Sequence, residues 1–169
     1  VNNSHVDAYS KAKANISYYE RFEGSISSLD SALSWINSGD LDNRKSELAI
    51  HVYYLKNRPD EVIKIVEHKQ VTSVTDAWTA YRAGQSYFNK NEFQSSLVWL
   101  KQAVKLAPAN LAFQNKLAEV FIQLQQPDEA IFILQELLKL QPKYLPALNN
   151  LGFAFMLKQN ITEANQYYE

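Results

Sequence analysis

The chain contains no cysteine, which excludes disulfides and thiolate-held metal sites. That absence suits the cytosol and the bacterial periplasm alike and leaves the compartment open. Only 4 glycines and 5 prolines occur in 169 residues, so few positions can break a helix, which favours an all-α fold. No apolar run is long enough to cross a bilayer. The formal net charge is −1, too small to draw the chain to nucleic acid or to an anionic membrane surface in general. What is abundant is apolar: 46% hydrophobic against 21% charged residues, enough for a packed core and unlike a disordered chain.

The apolar residues recur with a long period. Pro-Asp-Glu occurs at Pro59 and again at Pro127, two steps of about 34 residues apart. Repeats begun at Asn43, Ala77, Leu111 and Leu145 align without a gap. Their eighth positions are Ile50, Gly84, Ala118 and Gly152; their twentieth are Val62, Ser96, Ala130 and Ala164. Small side chains predominate at both, as a close crossing of two helices demands. The eleventh positions are all aromatic (Tyr53, Tyr87, Phe121, Phe155) and the twenty-fourth are large (Val66, Leu100, Leu134, Tyr168). Apolar spacing of three and four residues predicts first helices over 77–89, 111–125 and 145–158, and second helices over 93–106, 128–140 and 162–169. Pro59 and Pro127 stand where a helix begins, and the following carboxylates complement its positive end. Pro108 and Pro142 close the second and third repeats.

This pattern resembles the tetratricopeptide repeat family, whose signature places Trp, Leu-Gly, Tyr, Ala, Phe and Pro at fixed offsets. The resemblance covers roughly residues 43–169. It departs at the fourth position, where Ser46, Ala80, Gln114 and Leu148 stand instead of Trp, and at Val74, where later repeats have proline. It implies a right-handed α-solenoid of antiparallel helix hairpins, with Gly84, Ala118, Gly152, Ala130 and Ala164 buried at the crossings.

Residues 1–42 read as a divergent repeat or N-terminal cap. A helix over 5–22 carries Ile16, Tyr19 and Phe22 on one side; Gly24 interrupts it. A second helix over 25–37 carries Ile26, Leu29, Leu33 and Ile36, and Ser38-Gly39-Asp40 closes it. Repeats over 43–76, 77–110, 111–144 and a truncated 145–169 follow. The first residue is Val, and the last repeat stops inside its second helix. Both lead to the expectation of a segment from a longer chain. The bare apolar face of the last repeat, assigned to Leu148, Leu151, Phe155 and Tyr168, is a candidate for self-association.

No chemistry of catalysis stands out. His5, His51 and His68 have no metal-ligand spacing, and no phosphate loop or nucleophile elbow occurs. Asp60-Glu61 and Asp128-Glu129 recur in phase with the repeat and need only helix-start electrostatics. No enzyme activity, cofactor or metal is therefore expected. The resemblance implies instead that positions two, five, six, nine, twelve and thirteen of each repeat line a concave groove. From these the candidate peptide-binding residues are Trp78, Tyr81, Arg82, Gln85, Asn115, Lys116, Asn149 and Asn150. Asparagine can both donate to and accept from a peptide backbone, Arg82 and Lys116 can hold a carboxylate, and Trp78 and Tyr81 are interface anchors. Phe88 reads as packed. The Lys and Asn spacing of repeats that grip a C-terminal carboxylate is absent. The expected function is a non-catalytic scaffold for a protein or peptide partner, with no nucleic-acid partner and no membrane insertion. The alternative is an architectural, self-assembling part of an envelope, secretion or enzyme assembly.

Overall fold

A computed structural model describes residues 3–22, 26–38, 42–68 and 76–168. Ten α-helices and no strand occur among them: α1 (Asn3–Phe22), α2 (Ile26–Ile36), α3 (Asn43–Leu55), α4 (Pro59–His68), α5 (Ala77–Asn89), α6 (Phe93–Leu106), α7 (Leu111–Gln123), α8 (Pro127–Leu140), α9 (Leu145–Leu157) and α10 (Ile161–Gln166). None is both long and apolar enough to cross a membrane. The chain forms two compact units, Val1–Gln70 and Val71–Glu169. Gly24, Gly39, Asp40 and Val74, and the side chains of His5, Phe22, Ile26 and His68, lie outside the described residues.

In the first unit, Ala12 and Ile16 of α1 pack with Leu29, Ala32 and Ile36 of α2 and with Leu48, Ala49 and Val52 of α3. Of the expected apolar stripe of α2, Leu29 and Ile36 are completely buried and Leu33 half-buried. Polar links frame this core. His51 Nε2 lies 2.7 Å from Glu20 Oε1, and Lys56 Nζ lies 2.5 Å from Asp30 Oδ1. Asp42 caps α3 by accepting from the Lys45 N–H, which satisfies one of the free donors of a helix start.

In the second unit, α5 to α10 form successive antiparallel hairpins around Leu100, Leu117, Val120, Leu134, Leu137 and Leu151. Helix starts are chemically marked. Asp76 accepts from Thr79 N–H and Oγ1–H, and Asn110 accepts from the N–H groups of Ala112 and Phe113. Helix ends are marked too. Ala107 and Gln141, extended residues after α6 and α8, precede prolines that bar an α conformation there.

The turn inside each hairpin keeps the repeat period. Asn57, Asn91, Gln125 and Gln159 have φ of 53°, 61°, 58° and 58°, each at the fifteenth position of its repeat. The next residue donates back to the eleventh: Arg58 to Tyr53, Glu92 to Tyr87, Gln126 to Phe121 and Asn160 to Phe155, at 2.8–3.0 Å. This is the Schellman closure of a helix, with a left-handed residue after the last turn. It explains why α7 and α9 stop at Gln123 and Leu157 rather than at 125 and 158. No glycine signals the stop, so apolar periodicity overran it.

The crossing positions are buried as expected. Gly84, Ala118, Gly152, Ala130 and Ala164 are all buried. A Cβ on Gly84 would lie 2.7 Å from Leu100 Cγ, and one on Gly152 would lie 2.6 Å from Tyr168 Cζ. The eighth position is small because the twenty-fourth of the same repeat is large. Ser96, fully buried, donates its hydroxyl to the Gly84 carbonyl at 2.8 Å, a polar pin inside an apolar crossing. One expectation is corrected. Leu151 is completely buried and Leu148 half-buried, and Phe155 stacks on Tyr167 at 5.7 Å. Tyr168 is exposed as expected, and the other large apolar residues exposed in the last repeat are Leu145, Phe153, Met156 and Ile161.

Candidate peptide-binding surface on the first helices

All eight candidate residues lie on α5, α7 and α9 of the second unit, and six of them fall into three groups of contacts. Phe113, fully buried, is the base of the first. Tyr81 stacks on it with ring centroids 4.7 Å apart and an interplanar angle of 20°. Trp78 meets Phe113 edge-on at 4.9 Å and Tyr81 at 5.8 Å. Trp78 remains 49% exposed, an unusual state for a side chain whose burial is so favourable. The Arg82 guanidinium carbon lies 5.7 Å from the Trp78 ring centre, a cation–π placement that keeps the cation beside the aromatic surface.

The second group is Lys116 with its neighbours. Its ammonium lies 4.6 Å from the Phe88 ring centre and 2.6 Å from Glu119 Oε2. Lys116 was expected to offer its charge to a carboxylate; here Glu119, three residues on, already supplies one. Phe88 is half-buried against Phe93 at 5.4 Å, as its packed reading requires. The third group joins α7 to α9: Asn150 Nδ2 donates to Asn115 Oδ1 at 3.1 Å. This bond leaves the Asn115 amino group and the Asn150 carbonyl for other partners. Asn149 is exposed, and Gln85 is half-buried.

Sequence reasoning missed the role of Phe113. The third position of a repeat is not an inward position, yet this ring holds both candidate aromatics. Its signal was an aromatic side chain at a position where neighbouring repeats have Thr79 and Ala147.

The described residues thus form an all-α array of successive helix hairpins, the fold of solved tetratricopeptide-repeat structures. Residues 87–151 match the family model for the tetratricopeptide repeat. A crystal structure of MamA is similar at 22% identity with a TM-score of 0.74, covering 84% of this chain and 85% of that one. YrrB, described as a TPR protein with an unusual peptide-binding site, is 19% identical with a TM-score of 0.75, over 95% of this chain and 80% of its own. A Podospora anserina putative kinesin light chain with nearly identical TPR-like repeats is 14% identical with a TM-score of 0.69, over 94% and 90%. No curated protein matches the sequence.

Proposed function

We propose that the chain is a non-catalytic interaction module that binds an extended peptide along the faces of α5, α7 and α9. The observation that carries this reading is Trp78, half exposed on the Tyr81–Phe113 stack with Arg82 beside it. An aromatic or aliphatic side chain laid against Trp78 gains apolar contact from a platform that is already ordered, so little entropy is lost on binding. One turn of the groove away, the Asn115 amino group and the Asn150 carbonyl form a donor and acceptor pair, which matches the C=O and N–H of a peptide backbone. Lys116 is neutralised by Glu119. The preferred ligand is therefore a peptide with an apolar anchor and no more than local negative charge near Arg82, rather than a strongly acidic tail. YrrB, a protein of the same fold whose structure is described as holding a peptide-binding site, supports the reading by analogy.

The test is selection of peptides from a random display library on the immobilised chain, followed by binding to variants. Trp78→Ala, Arg82→Glu and Asn150→Ala are the informative ones. Lys116→Glu would also place two carboxylates together at 116 and 119 and so confuse binding with stability. Each variant is expected to weaken the selected peptides at least tenfold while its melting stays near that of the parent. Peptides that bind all three variants as tightly as the parent would overturn the reading.

A further inference from the structure

Two large exposed side chains recur on the second helices of inner repeats. Val98 of α6 and Phe132 of α8 hold the twenty-second position of successive repeats, and each is 67% exposed. A complete repeat, α7 and α8, follows Val98 and leaves it in water, so stacking of the next repeat does not cover this position. The twentieth and twenty-fourth positions, Ser96 with Leu100 and Ala130 with Leu134, are fully buried. Each lies about 160° around the helix from the twenty-second, which turns the latter outward. Leu100 and Leu134 belong to one core, so Val98 and Phe132 look out from one side of the array. Leu106, at the end of α6, is exposed as well. The charges beside these residues differ between the two helices. Lys101 and Lys105 follow Val98 at three and seven residues, on the same face of α6, and both are exposed. The Lys101 ammonium lies 5.6 Å from the Phe121 ring centre, which holds that cation over the next repeat. No acidic residue occurs in α6. On α8, Asp128 pairs with Lys158 and Glu136 with Lys139, and Glu129 is exposed.

From this surface we infer a second docking site, for an acidic amphipathic helix of another protein. It stands apart from the peptide surface of α5, α7 and α9 and does not depend on it. The apolar stripe of the incoming helix covers Val98 and Phe132, and carboxylates along one edge lie over Lys101 and Lys105. A helix presents both features at once, because residues three, four and seven apart share a face. Charge chooses this occupant. An anionic membrane would attract Lys101 and Lys105, but a flat surface would also meet Asp128, Glu129 and Glu136 of α8 and be repelled. Two copies of the chain joined α6 to α6 would set lysine against lysine, which opposes association. A helix with one acidic edge can place that edge over α6 alone and keep its apolar stripe over Phe132.

The probe is a synthetic amphipathic peptide of Leu and Glu, about 20 residues long so that it can form a helix. A control peptide has Lys in place of Glu. Titrated into the chain at low salt, the Leu/Glu peptide should bind roughly tenfold tighter than the Leu/Lys peptide, and the difference should shrink as salt rises. Lys101→Glu combined with Lys105→Glu should invert the preference. Val98→Ser combined with Phe132→Ser should weaken the Leu/Glu peptide roughly tenfold, as loss of two apolar contacts does, while Trp78→Ala should leave it unchanged. Equal binding of the two peptides, or a Leu/Glu peptide that ignores the serine pair or is lost with Trp78, would overturn the inference. Binding to phosphatidylserine vesicles without binding to the peptide would give the surface to a membrane. A sedimentation mass that rises with concentration, and stays at the monomer in the serine pair, would give it to a second copy. Either result would overturn the inference too. If one double variant melts well below the parent, the other decides the matter alone.

Discussion

The hairpin α5–α6 and the hairpin α9–α10 have one pattern and two environments. Each places glycine at the eighth position against a large residue at the twenty-fourth: Gly84 against Leu100, Gly152 against Tyr168. Each turns through a left-handed residue, Asn91 or Gln159. Yet Leu100 is fully buried, and Tyr168 is 48% exposed. The size match is therefore internal to a repeat, while burial is conferred by the repeat that stacks next. Stability follows the second property more than the first, because apolar stabilisation scales with area removed from water.

The largest expected difference follows directly. Leu100→Ala should cost about 2–5 kcal/mol, as removal of a fully buried leucine does. Tyr168→Ala, at the same position of the last repeat, should cost about 1 kcal/mol or less in the monomer, since half its surface is already in water. Urea denaturation of both variants checks the contrast; equal losses would break it.

A smaller difference is expected at the glycines. Alanine at 84 would set its Cβ 2.7 Å from Leu100 Cγ and 3.2 Å from the Leu100 backbone nitrogen, so α6 itself must move. The overpacking cost of about 1–3 kcal/mol should outweigh the roughly 1 kcal/mol that alanine gains over glycine in a helix. Alanine at 152 meets only the end of the Tyr168 ring, which can swing into solvent. Gly152→Ala is expected to be near neutral. Melting temperatures of the two variants, measured side by side, decide whether the last crossing is as rigid as the inner one.

The smallest effect lies in the turns. Asn tolerates the left-handed region better than Gln does. Gln125→Gly should stabilise by about 0.5–1 kcal/mol, and Asn91→Gly should change little. A stabilisation of equal size at both positions would show that side-chain type at the fifteenth position is irrelevant.

Much of the fold is legible in the sequence. The starts at Asn43, Ala77, Leu111 and Leu145 are the starts of α3, α5, α7 and α9, because the repeat period and apolar spacing are signals carried by the sequence itself. The ends of α7 and α9 were read late, since glutamine at a left-handed turn carries no such signal. The candidate residues could be named from the sequence, but the bonds among them could not. That Lys116 pairs with Glu119, that Asn150 donates to Asn115, and that Phe113 carries Tyr81 depend on rotamers and on which helix lies opposite. The exposed apolar face was expected at Leu148, Leu151, Phe155 and Tyr168; Tyr168 is exposed, but α9 turns Leu151 inward and leaves Leu145, Phe153 and Met156 outside.

By itself the sequence determined the period, the hairpin turns and the pairing of small with large residues at each crossing. These are set by contacts within one repeat, through backbone sterics and side-chain volume. Only the tertiary structure decided which apolar residues remain in water and which polar groups of the first helices are already paired. Both depend on what packs against a side chain, and a residue's identity does not specify its neighbour.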